Sequence, residues 1–370
     1  MVRSAGQNRV RYAVVGAGNI AQVAVLPAFA HAKETSELAV IVSDDAEKRA
    51  ALGERYRVKT AAYADFEAVI SSERIDAVYI ALPNALHRPF VERAASAGID
   101  VLCEKPLATT SDDCRAMIAA CAATGVRLMV AYRLHFEEAN LRAIDRVRSG
   151  WLGEPRYFSA VFSQQVRGGD IRTRAAEGGG ALFDMGIYCI NAARYVFRAE
   201  PTEVFAFQSH GFDPRFREVD EMTTGILRFP EGRLAQFTAS QGAADVDSYR
   251  IVGTEGDLRV EPGFRYQGDL KHYLTVAGRT EETTYAQRDQ FAPELVHFSK
   301  CILESTPADP SGREGWADVR IMEALRRSAR TGERVLLDPF DPGPRPEPED
   351  AIQKPPVHAP DPVNAPSPTR

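Results

Sequence analysis

Short apolar runs alternate with helix-like stretches over the first 130 residues of the chain. Runs that are apolar at nearly every position indicate strands buried on both faces, and their alternation with helices indicates βαβ units and a parallel sheet. The pattern therefore predicts an N-terminal domain built on such a sheet. The runs are Arg11–Val15, Leu38–Val42, Ala77–Ile80, Val101–Leu102 and Arg127–Val130.

The pattern changes after about residue 150, where strand-like segments follow one another with turn residues between them. Such a succession favours a largely antiparallel sheet. The strand-like segments are Arg156–Val166, Glu203–Ser209, Thr223–Phe229, Leu234–Ala239, Tyr249–Val252 and His272–Val276, and helices are predicted at Ala181–Phe197, Pro293–Glu304 and Glu314–Arg330. We therefore predict an α/β protein with an N-terminal domain of Rossmann type (1–130) and a C-terminal α/β domain with an open, mostly antiparallel sheet (131–338).

Residues 339–370 form a Pro-rich tail without apolar periodicity, which predicts a segment that is either disordered or wrapped over the surface. The 370 residues are more than one hydrophobic core usually supports, which agrees with two domains. The five cysteines lack the spacing of metal ligands, so we expect them to be reduced core residues and expect no bound metal.

The formal net charge of −6 is spread along the chain, without the basic stripe that a nucleic acid would require. No apolar run approaches the roughly 18 residues that span a bilayer, and no apolar segment of a signal peptide precedes the first strand. We therefore expect no nucleic-acid partner, no membrane association and a cytoplasmic location.

A glycine-rich loop follows the first predicted strand and opens the first predicted helix. Its pattern is Gly16-x-Gly18-x-x-Ala21, and Asn19 and Ile20 lie at the helix start. The first glycine permits a tight turn, the second admits a pyrophosphate, and the free N–H groups of the helix face the phosphates. A glycine-rich turn of an unrelated α/β protein is the alternative, but the order strand, loop, helix and strand favours a dinucleotide site.

The end of the second strand distinguishes NADP from NAD. An acidic residue there accepts hydrogen bonds from the free ribose of NAD, whereas a 2′-phosphate requires donors and positive charge. Ser43 is the first residue past the apolar run, and Lys48 follows one helical turn later, which favours NADP. The alternative remains open that Asp44 binds the ribose while Asp45 caps the helix and Lys48 is solvated.

Candidate contacts to the nicotinamide half follow the next strands, because ligands bind at the carboxyl ends of the strands in such sheets. Leu82, Asn84 and His87 follow one strand, although His87 could equally be a helix-start residue that packs locally. Glu104 and Lys105 follow the next. A lysine beside a nicotinamide can donate a hydrogen bond to the oxygen of the reacting carbon.

A second group of candidates follows three glycines at 178–180, which we expect to allow the backbone to approach a ligand. Asp184 and Tyr188 lie four residues apart in the helix that follows, on one face. Asp184 could bind sugar hydroxyls while Tyr188 transfers a proton. A tyrosine base near neutrality needs positive charge beside it, which Lys105, Arg133, Arg172 or Arg174 could supply, since the ordinary phenol pKa is about 10. The alternative is an Asp184 salt bridge and a Tyr188 ring packed in the core.

The combined motifs resemble the glucose–fructose oxidoreductase and inositol dehydrogenase family from Arg11 to about Asp338. The resemblance rests on the glycine loop, the Leu82-Pro83-Asn84 segment with His87, Glu104-Lys105-Pro106, Tyr132-Arg133 with His135, and the three glycines leading to Asp184-x-Gly186-x-Tyr188. It implies that Lys105 lies in the active site, that Asp184 contacts substrate and that Tyr188 is the proton-transfer group. Arg133 and Arg172 are further candidates for substrate binding.

Many members of that family have histidine where this chain has Tyr188. With tyrosine at this position, the chain is similar to the glucose–fructose and aldose–aldose oxidoreductases. The resemblance implies tightly held NADP(H), oxidation of an aldopyranose at C1 to its lactone and reduction of a second sugar to an alditol. Separately, we expect the free face of the C-terminal sheet to be apolar enough to form homo-oligomers. Two alternatives stay open. One is an ordinary sugar dehydrogenase that exchanges free cofactor, and the other is a sensor that binds NADP(H) without turnover.

Overall fold

The computed structural model describes residues 9–369. The strands are β1 (Val10–Val15), β2 (Ser36–Val42), β3 (Lys59–Ala61), β4 (Ala77–Ile80), β5 (Asp100–Glu104), β6 (Leu128–Ala131), β7 (Pro155–Ser163), β8 (Glu203–Ser209), β9 (Met222–Arg228), β10 (Leu234–Ser240), β11 (Val246–Gly253), β12 (Gly256–Val260), β13 (Leu270–Val276), β14 (Arg279–Tyr285) and β15 (Val335–Leu336). The α-helices are α1 (Leu26–Ala32), α2 (Ala46–Tyr56), α3 (Phe66–Ser72), α4 (His87–Ser96), α5 (Ser111–Thr124), α6 (Glu138–Arg148), α7 (Ile187–Phe197), α8 (Ala292–Glu304) and α9 (Gly312–Thr331).

The chain divides into two compact units. Unit 1 contains the chain up to Arg133, Arg288–Trp316 and Gln353–Ser367, and unit 2 contains Leu134–Gln287, Ala317–Ile352 and the residues from Pro368 onward. The sequence placed one boundary near residue 130, but it did not predict that two later segments return to unit 1.

Unit 1 is built on a parallel sheet of six strands in the order β3-β2-β1-β4-β5-β6. This is the order of a Rossmann fold, and β4 is buried at every position, as its continuous apolar run requires. Local signals set the helix ends: Asp45 caps α2, Thr110 caps α5, and Gly125 ends α5 in a left-handed conformation. The predicted N-terminal fold is confirmed.

Unit 2 is built on nine strands in the order β14-β13-β12-β11-β7-β10-β9-β8-β15. The pairs are antiparallel except that β10 runs parallel to β7. Alternating burial along β9 and β11 places one face of the sheet on the core. The prediction of a mostly antiparallel C-terminal sheet is confirmed.

The helix predicted at Ala181–Phe197 differs at its start. Leu182–Gly186 forms a π-helical turn, and α7 begins only at Ile187. The glycine loop of unit 1 likewise leads into a π-helical turn, Ala21–Val25, before α1. π-helical turns are rare and are frequent at functional sites.

The Pro-rich tail has little regular structure, and its one short helical turn is Pro348–Asp350. Residues 353–367 nevertheless make specific contacts within unit 1, among them a hydrogen bond from the Asp289 N–H to the Lys354 carbonyl. Across residues 9–369, no helix has both the length and the apolar character that crossing a membrane would require.

Candidate functional site

The glycine loop has the shape that a dinucleotide site requires. Gly16 adopts φ +99°, and a Cβ there would overlap the carbonyl oxygen of Ala81, so only glycine fits beside the neighbouring loop. At Gly18, by contrast, an added Cβ would meet no atom within 4 Å. The open space at Gly18, at the start of the helix, fits a pyrophosphate bound by backbone N–H groups. Asn19 and Ile20, both half-buried, are the neighbouring candidates.

Ser43 and Lys48 lie in one hydrogen-bonded group with Asp45 at the end of β2. The Asp45 N–H donates to Ser43 Oγ at 3.3 Å, and Lys48 Nζ is 4.0 Å from an Asp45 carboxylate oxygen. Asp45 also accepts the N–H groups of Glu47 and Lys48 as the helix cap. The capping role that the alternative interpretation assigned to Asp45 is therefore confirmed; Ser43 contacts the Asp45 backbone, and Lys48 lies beside its carboxylate.

Asp44, the other acidic candidate, accepts the Tyr63 N–H at 2.7 Å. Its side chain is thus used to hold the loop after β3, although the residue is exposed. Hydroxyl and ammonium groups of Ser43 and Lys48 fit a 2′-phosphate better than a free ribose hydroxyl.

His87 is not placed to contact a cofactor, which corrects the prediction from sequence. The side chain is fully buried, with Nδ1 at 3.0 Å from the Pro106 carbonyl oxygen and Nε2 at 3.0 Å from the Leu82 carbonyl oxygen. Burial lowers the pKa of His87, while these carbonyls partly oppose that shift. His87 therefore joins the loop after β4 to the loop after β5, and Leu82 contributes its backbone oxygen. Asn84 lies half-buried in the helical turn between β4 and α4.

Glu104 is the last residue of β5, and Lys105 follows it directly. Tyr79 donates a hydrogen bond to Glu104 Oε1 at 2.9 Å, and the Lys105 N–H donates to Glu104 Oε2 at 3.2 Å. Lys105 itself is half-buried, and its bond to Pro106 is cis. The carboxylate thus fixes the backbone at Lys105, directly after the end of the strand.

Glu294 of α8 completes this group from a distant part of the sequence. It is fully buried, and its Oε2 is 3.4 Å from the Tyr79 hydroxyl. Burial and the negative charge of Glu104 raise the pKa of Glu294 well above its usual range. Because Tyr79 has one proton and gives it to Glu104, a protonated Glu294 is the form that can donate to the Tyr79 oxygen.

Arg133 begins the short helical turn that follows β6 and is buried within unit 1. Its guanidinium donates to the side-chain oxygen of Gln290, just before α8. The charge of Arg133 also opposes the upward pKa shifts of Glu104 and Glu294. Arg133 therefore belongs to the same buried polar group as Lys105.

In unit 2, Asp184 forms an ion pair with Arg172. Arg172 Nε donates to Asp184 Oδ2 at 2.9 Å, and Gln241 Nε2 donates to the same oxygen at 3.1 Å. Burial alone would lower the pKa of the Arg172 guanidinium, but the carboxylates of Asp184 and Asp170 raise it overall. The ion pair holds a carboxylate acceptor and guanidinium donors in fixed directions, and such groups suit the recognition of sugar hydroxyls.

Tyr188 lies in the first turn of α7 and is half-buried. Its ring packs edge-to-face on Phe162, with the centroids 5.5 Å apart, and lies 6.1 Å from the ring of Phe264. The aromatic contacts fix the ring plane and leave part of the side chain accessible. Asp184 lies within the π-helical turn and Tyr188 lies in α7. The four-residue interval between them is therefore not one regular α-helical turn.

Gly179 and Gly180, two of the three glycines at 178–180, serve packing within unit 2, which corrects their expected role of approaching a ligand. A Cβ at Gly179 would overlap the Arg172 carbonyl oxygen, and one at Gly180 would overlap the Asp220 side chain. The Gly180 N–H also donates to the Arg172 carbonyl at 2.9 Å. The glycines therefore bring the Arg172 loop against the helix that carries Asp184.

Comparison with protein families decides the relationship. Residues 10–132 match the model of the GFO/IDH/MocA oxidoreductase family with an NAD-binding Rossmann fold, and residues 140–259 match the GFO/IDH/MocA C-terminal domain. The chain belongs to the GFO/IDH/MocA family. The resemblance drawn from the sequence motifs is thereby confirmed.

Relatives of this GFO/IDH/MocA protein include an NADP(+)-dependent D-xylose 1-dehydrogenase from Haloarcula marismortui, 33% identical over 91% of this chain and 95% of the relative. Among solved structures, an aldose–aldose oxidoreductase from Caulobacter crescentus, complexed with glycerol, is 38% identical with a TM-score of 0.85. That match covers 89% of this chain and 100% of the other. A 3-ketoreductase from Actinomadura kijaniata, in complex with NADP and TDP-benzene, is 28% identical with a TM-score of 0.80 and covers 87% and 98% of the two chains.

The expected class, an NADP-dependent sugar oxidoreductase, is confirmed at the level of the GFO/IDH/MocA family and these relatives. Sequence reasoning missed three residues that hold the candidate side chains: Gln290, Glu294 and Gln241. Gln290 precedes α8, and Glu294 lies in the first turn of that helix. No local pattern connects either residue with Lys105 or Arg133. The roles of the candidate residues in binding and catalysis stay predictions.

Proposed function

We propose that the protein oxidises an aldopyranose at C1 to the lactone with tightly held NADP and then reduces a second sugar, an aldose or a ketose, to an alditol. In the first half-reaction the C1 hydrogen leaves as hydride and the C1 hydroxyl loses its proton. In the second, the carbonyl carbon of another sugar gains the hydride and its oxygen gains a proton. The cycle needs no free nucleotide.

The observation that carries the proposal is Tyr188, placed one helical turn past the Asp184–Arg172 ion pair. A tyrosine hydroxyl can move a proton at a sugar oxygen, while the paired carboxylate and guanidinium bind neighbouring hydroxyls. Similarity over the whole length of an aldose–aldose oxidoreductase supports this assignment. Neither feature would be needed in a sensor that only binds nucleotide.

Residues of unit 1 would hold the cofactor and support the proton transfer. When bound, the nicotinamide supplies the acceptor and donor of hydride. Gly16, Gly18, Asn19 and Ile20 would hold the pyrophosphate. Ser43 and Lys48 would hold the 2′-phosphate, and the region of Leu82, Asn84, Glu104 and Arg133 would border the nicotinamide half. We assign to Lys105 Nζ the donation of a hydrogen bond that stabilises negative charge on the reacting oxygen, and to Tyr188 the exchange of the proton.

An ordinary sugar dehydrogenase that releases NADPH each cycle is the second candidate. It is favoured by the 33% identity with a D-xylose 1-dehydrogenase that uses NADP(+). The two candidates share the first half-reaction and differ in whether the nucleotide leaves before a second sugar arrives.

The test is to incubate the purified protein with D-xylose or D-glucose and no added nucleotide. We expect lactone, measured as the aldonate, and alditol in equal amounts over many turnovers. Formation of lactone only after NADP is added, with equimolar NADPH in solution, would establish the second candidate instead. Absence of sugar oxidation with and without NADP would refute both.

We also propose a homo-oligomer formed through the open face of the unit 2 sheet. Large apolar side chains are exposed on neighbouring strands there, and Phe207 is 68% exposed. Such a patch is unusual on a monomer. The exposed residues are Tyr157, Val161, Phe207, Ile226 and Leu234. Light scattering should give a multiple of the chain mass, and Phe207→Asp combined with Ile226→Asp should give the monomer; a monomeric wild type would refute the interface.

A further inference from the structure

Three residues near the end of the chain lie on the helix that the glycine loop opens. We call Val363–Ala365 the C-terminal strap. The carboxamide of buried Gln22 pairs with both backbone groups of Val363: Nε2 donates to its carbonyl at 2.9 Å, and Oε1 accepts its N–H at 2.7 Å. Asn19, in the glycine loop, donates to the Ala365 carbonyl at 2.9 Å. The strap is therefore bonded to the first turn after the loop at two points.

The middle residue of the strap contacts the acidic groups at the start of α2. Asn364 Nδ2 donates to Glu47 Oε2 at 2.8 Å and lies 3.5 Å from Asp45 Oδ2. Asn364 has φ +46°, a left-handed conformation that asparagine adopts more readily than most residues. The Lys48 N–H lowers the pKa of Asp45, and Asn364 lowers it further. The amide thus stabilises the negative charge of this pair.

These contacts place the strap at two separate parts of the dinucleotide signature. Asn19 lies where the pyrophosphate is expected, and Asp45 belongs to the Ser43–Lys48 group where the 2′-phosphate is expected. A bound adenosine diphosphate extends between these two parts of a Rossmann fold. The strap therefore contacts the parts of the signature on both sides of the expected adenosine half.

We propose that the C-terminal strap is part of the NADP(H) site and slows release of the nucleotide, with Asn364 as a positioning residue that favours the 2′-phosphate. The inference rests on the proposed NADP(H)-binding function. Asn364 acts through Asp45 and Glu47, because a donor bonded to these carboxylates reduces their repulsion of a neighbouring phosphate. The hydrogen bonds of Asn19 and Gln22 keep the strap in place.

The first experiment compares two shortened chains with the full chain. One ends at Pro360 and lacks the strap; the matched control ends at Ser367 and retains it. NADPH is bound to each, and its release is followed by nicotinamide fluorescence after mixing with excess NADP. We expect release to be about tenfold faster without the strap, because the segment proposed to slow it is removed, and unchanged in the control.

The second experiment changes one exposed side chain of the full chain, so that the fold is retained. Asn364→Asp adds a third carboxylate beside Asp45 and Glu47, and it should weaken NADPH binding about tenfold while changing NADH binding less than about twofold. Asp361→Ala, an exposed residue three positions earlier, is the control and should change neither affinity.

The outcomes separate the inference from the function on which it rests. Wild-type release rates without the strap, or equal losses of NADPH and NADH affinity in Asn364→Asp, would overturn the inference and leave the proposed function standing. A full chain that binds neither nucleotide would overturn both. If the chain ending at Pro360 does not fold, the Asn364→Asp comparison alone decides.

Discussion

Two glycine segments of this chain lead into the same local structure but serve different purposes. Gly16–Gly18 in unit 1 and the glycines at 178–180 in unit 2 each precede a π-helical turn and an α-helix. A Cβ at Gly18 would meet nothing, whereas Cβ atoms at Gly179 and Gly180 would overlap the protein itself. The first segment leaves room for a ligand, and the second brings Arg172 to Asp184. Glycine alone therefore does not identify a binding surface. The space around the position that a Cβ atom would occupy distinguishes the two cases.

The largest expected effect separates the chemistry of unit 2 from nucleotide binding in unit 1. Tyr188→Phe should lower turnover about 10² to 10⁴-fold, because it removes the group proposed to transfer the proton and keeps the ring packing. The affinity for NADPH, measured by fluorescence titration, should stay within about twofold. Tyr195→Phe is a matched control: this buried tyrosine of α7 contacts His135 Nδ1 at 3.3 Å, and its loss should reduce stability rather than turnover. Turnover near wild type in Tyr188→Phe would contradict the assigned role.

A paired substitution tests the contrast between the glycine segments directly. Gly180→Ala should lower the free energy of unfolding by about 1 to 3 kcal/mol, since alanine is strained at φ +113° and its Cβ would overlap Asp220. Gly18→Ala should change that free energy by less than about 0.5 kcal/mol but weaken NADPH binding at least about tenfold. Urea unfolding and fluorescence titration of both variants measure the two effects. A stable, tightly binding Gly18→Ala variant would show that the space at Gly18 is not used by the nucleotide.

A smaller effect is expected from the buried acid beside Lys105. The pKa of Glu294 is raised in the folded protein, so its protonation stabilises the fold fully below the unfolded pKa of about 4.3, and this contribution is lost as the pH rises through the folded pKa. The contribution of this carboxyl to the free energy of unfolding should therefore fall as the pH rises above about 4.3, and Glu294→Gln should reduce the fall measured for the wild type.

The control for this measurement is Glu304→Gln, an exposed residue at the end of the same helix, which should leave the pH dependence unchanged. The dependence should be reduced rather than abolished in Glu294→Gln, because the pKa of Glu104 is also raised by burial, opposed in part by Lys105. An identical slope in wild type and Glu294→Gln would show that Glu294 is not held protonated.

The sequence predicted the fold where local patterns were strong. The strands Ala77–Ile80 and Glu203–Ser209 match β4 and β8 residue for residue, since a buried apolar run and clear bounding residues defined them. β14 was missed because this edge strand is exposed along most of its length and rich in Thr and Glu, so it has no apolar alternation. β12 was missed as well; it is a five-residue strand of mixed polarity.

The candidate site was predictable to the extent that its residues follow strand ends. Lys105 and Ser43 were selected in this way and Arg133 through the family motif, and their roles stay predictions. The residues that hold them come from far along the chain: Glu294 looks like an ordinary first-turn helix glutamate until the fold buries it beside Tyr79. His87 was misassigned because the sequence does not reveal that two backbone carbonyls face its ring nitrogens.

The pairing of Gln22 with Val363 joins residues 341 positions apart. On the ribosome Gln22 is made long before Val363, so a nascent chain already contains every strand of the Rossmann sheet while the carboxamide of Gln22 has no Val363 to pair with. A chain cut between the sheet and Val363 would be left in the same condition. The sheet and this pairing therefore depend on parts of the chain that are made at different times.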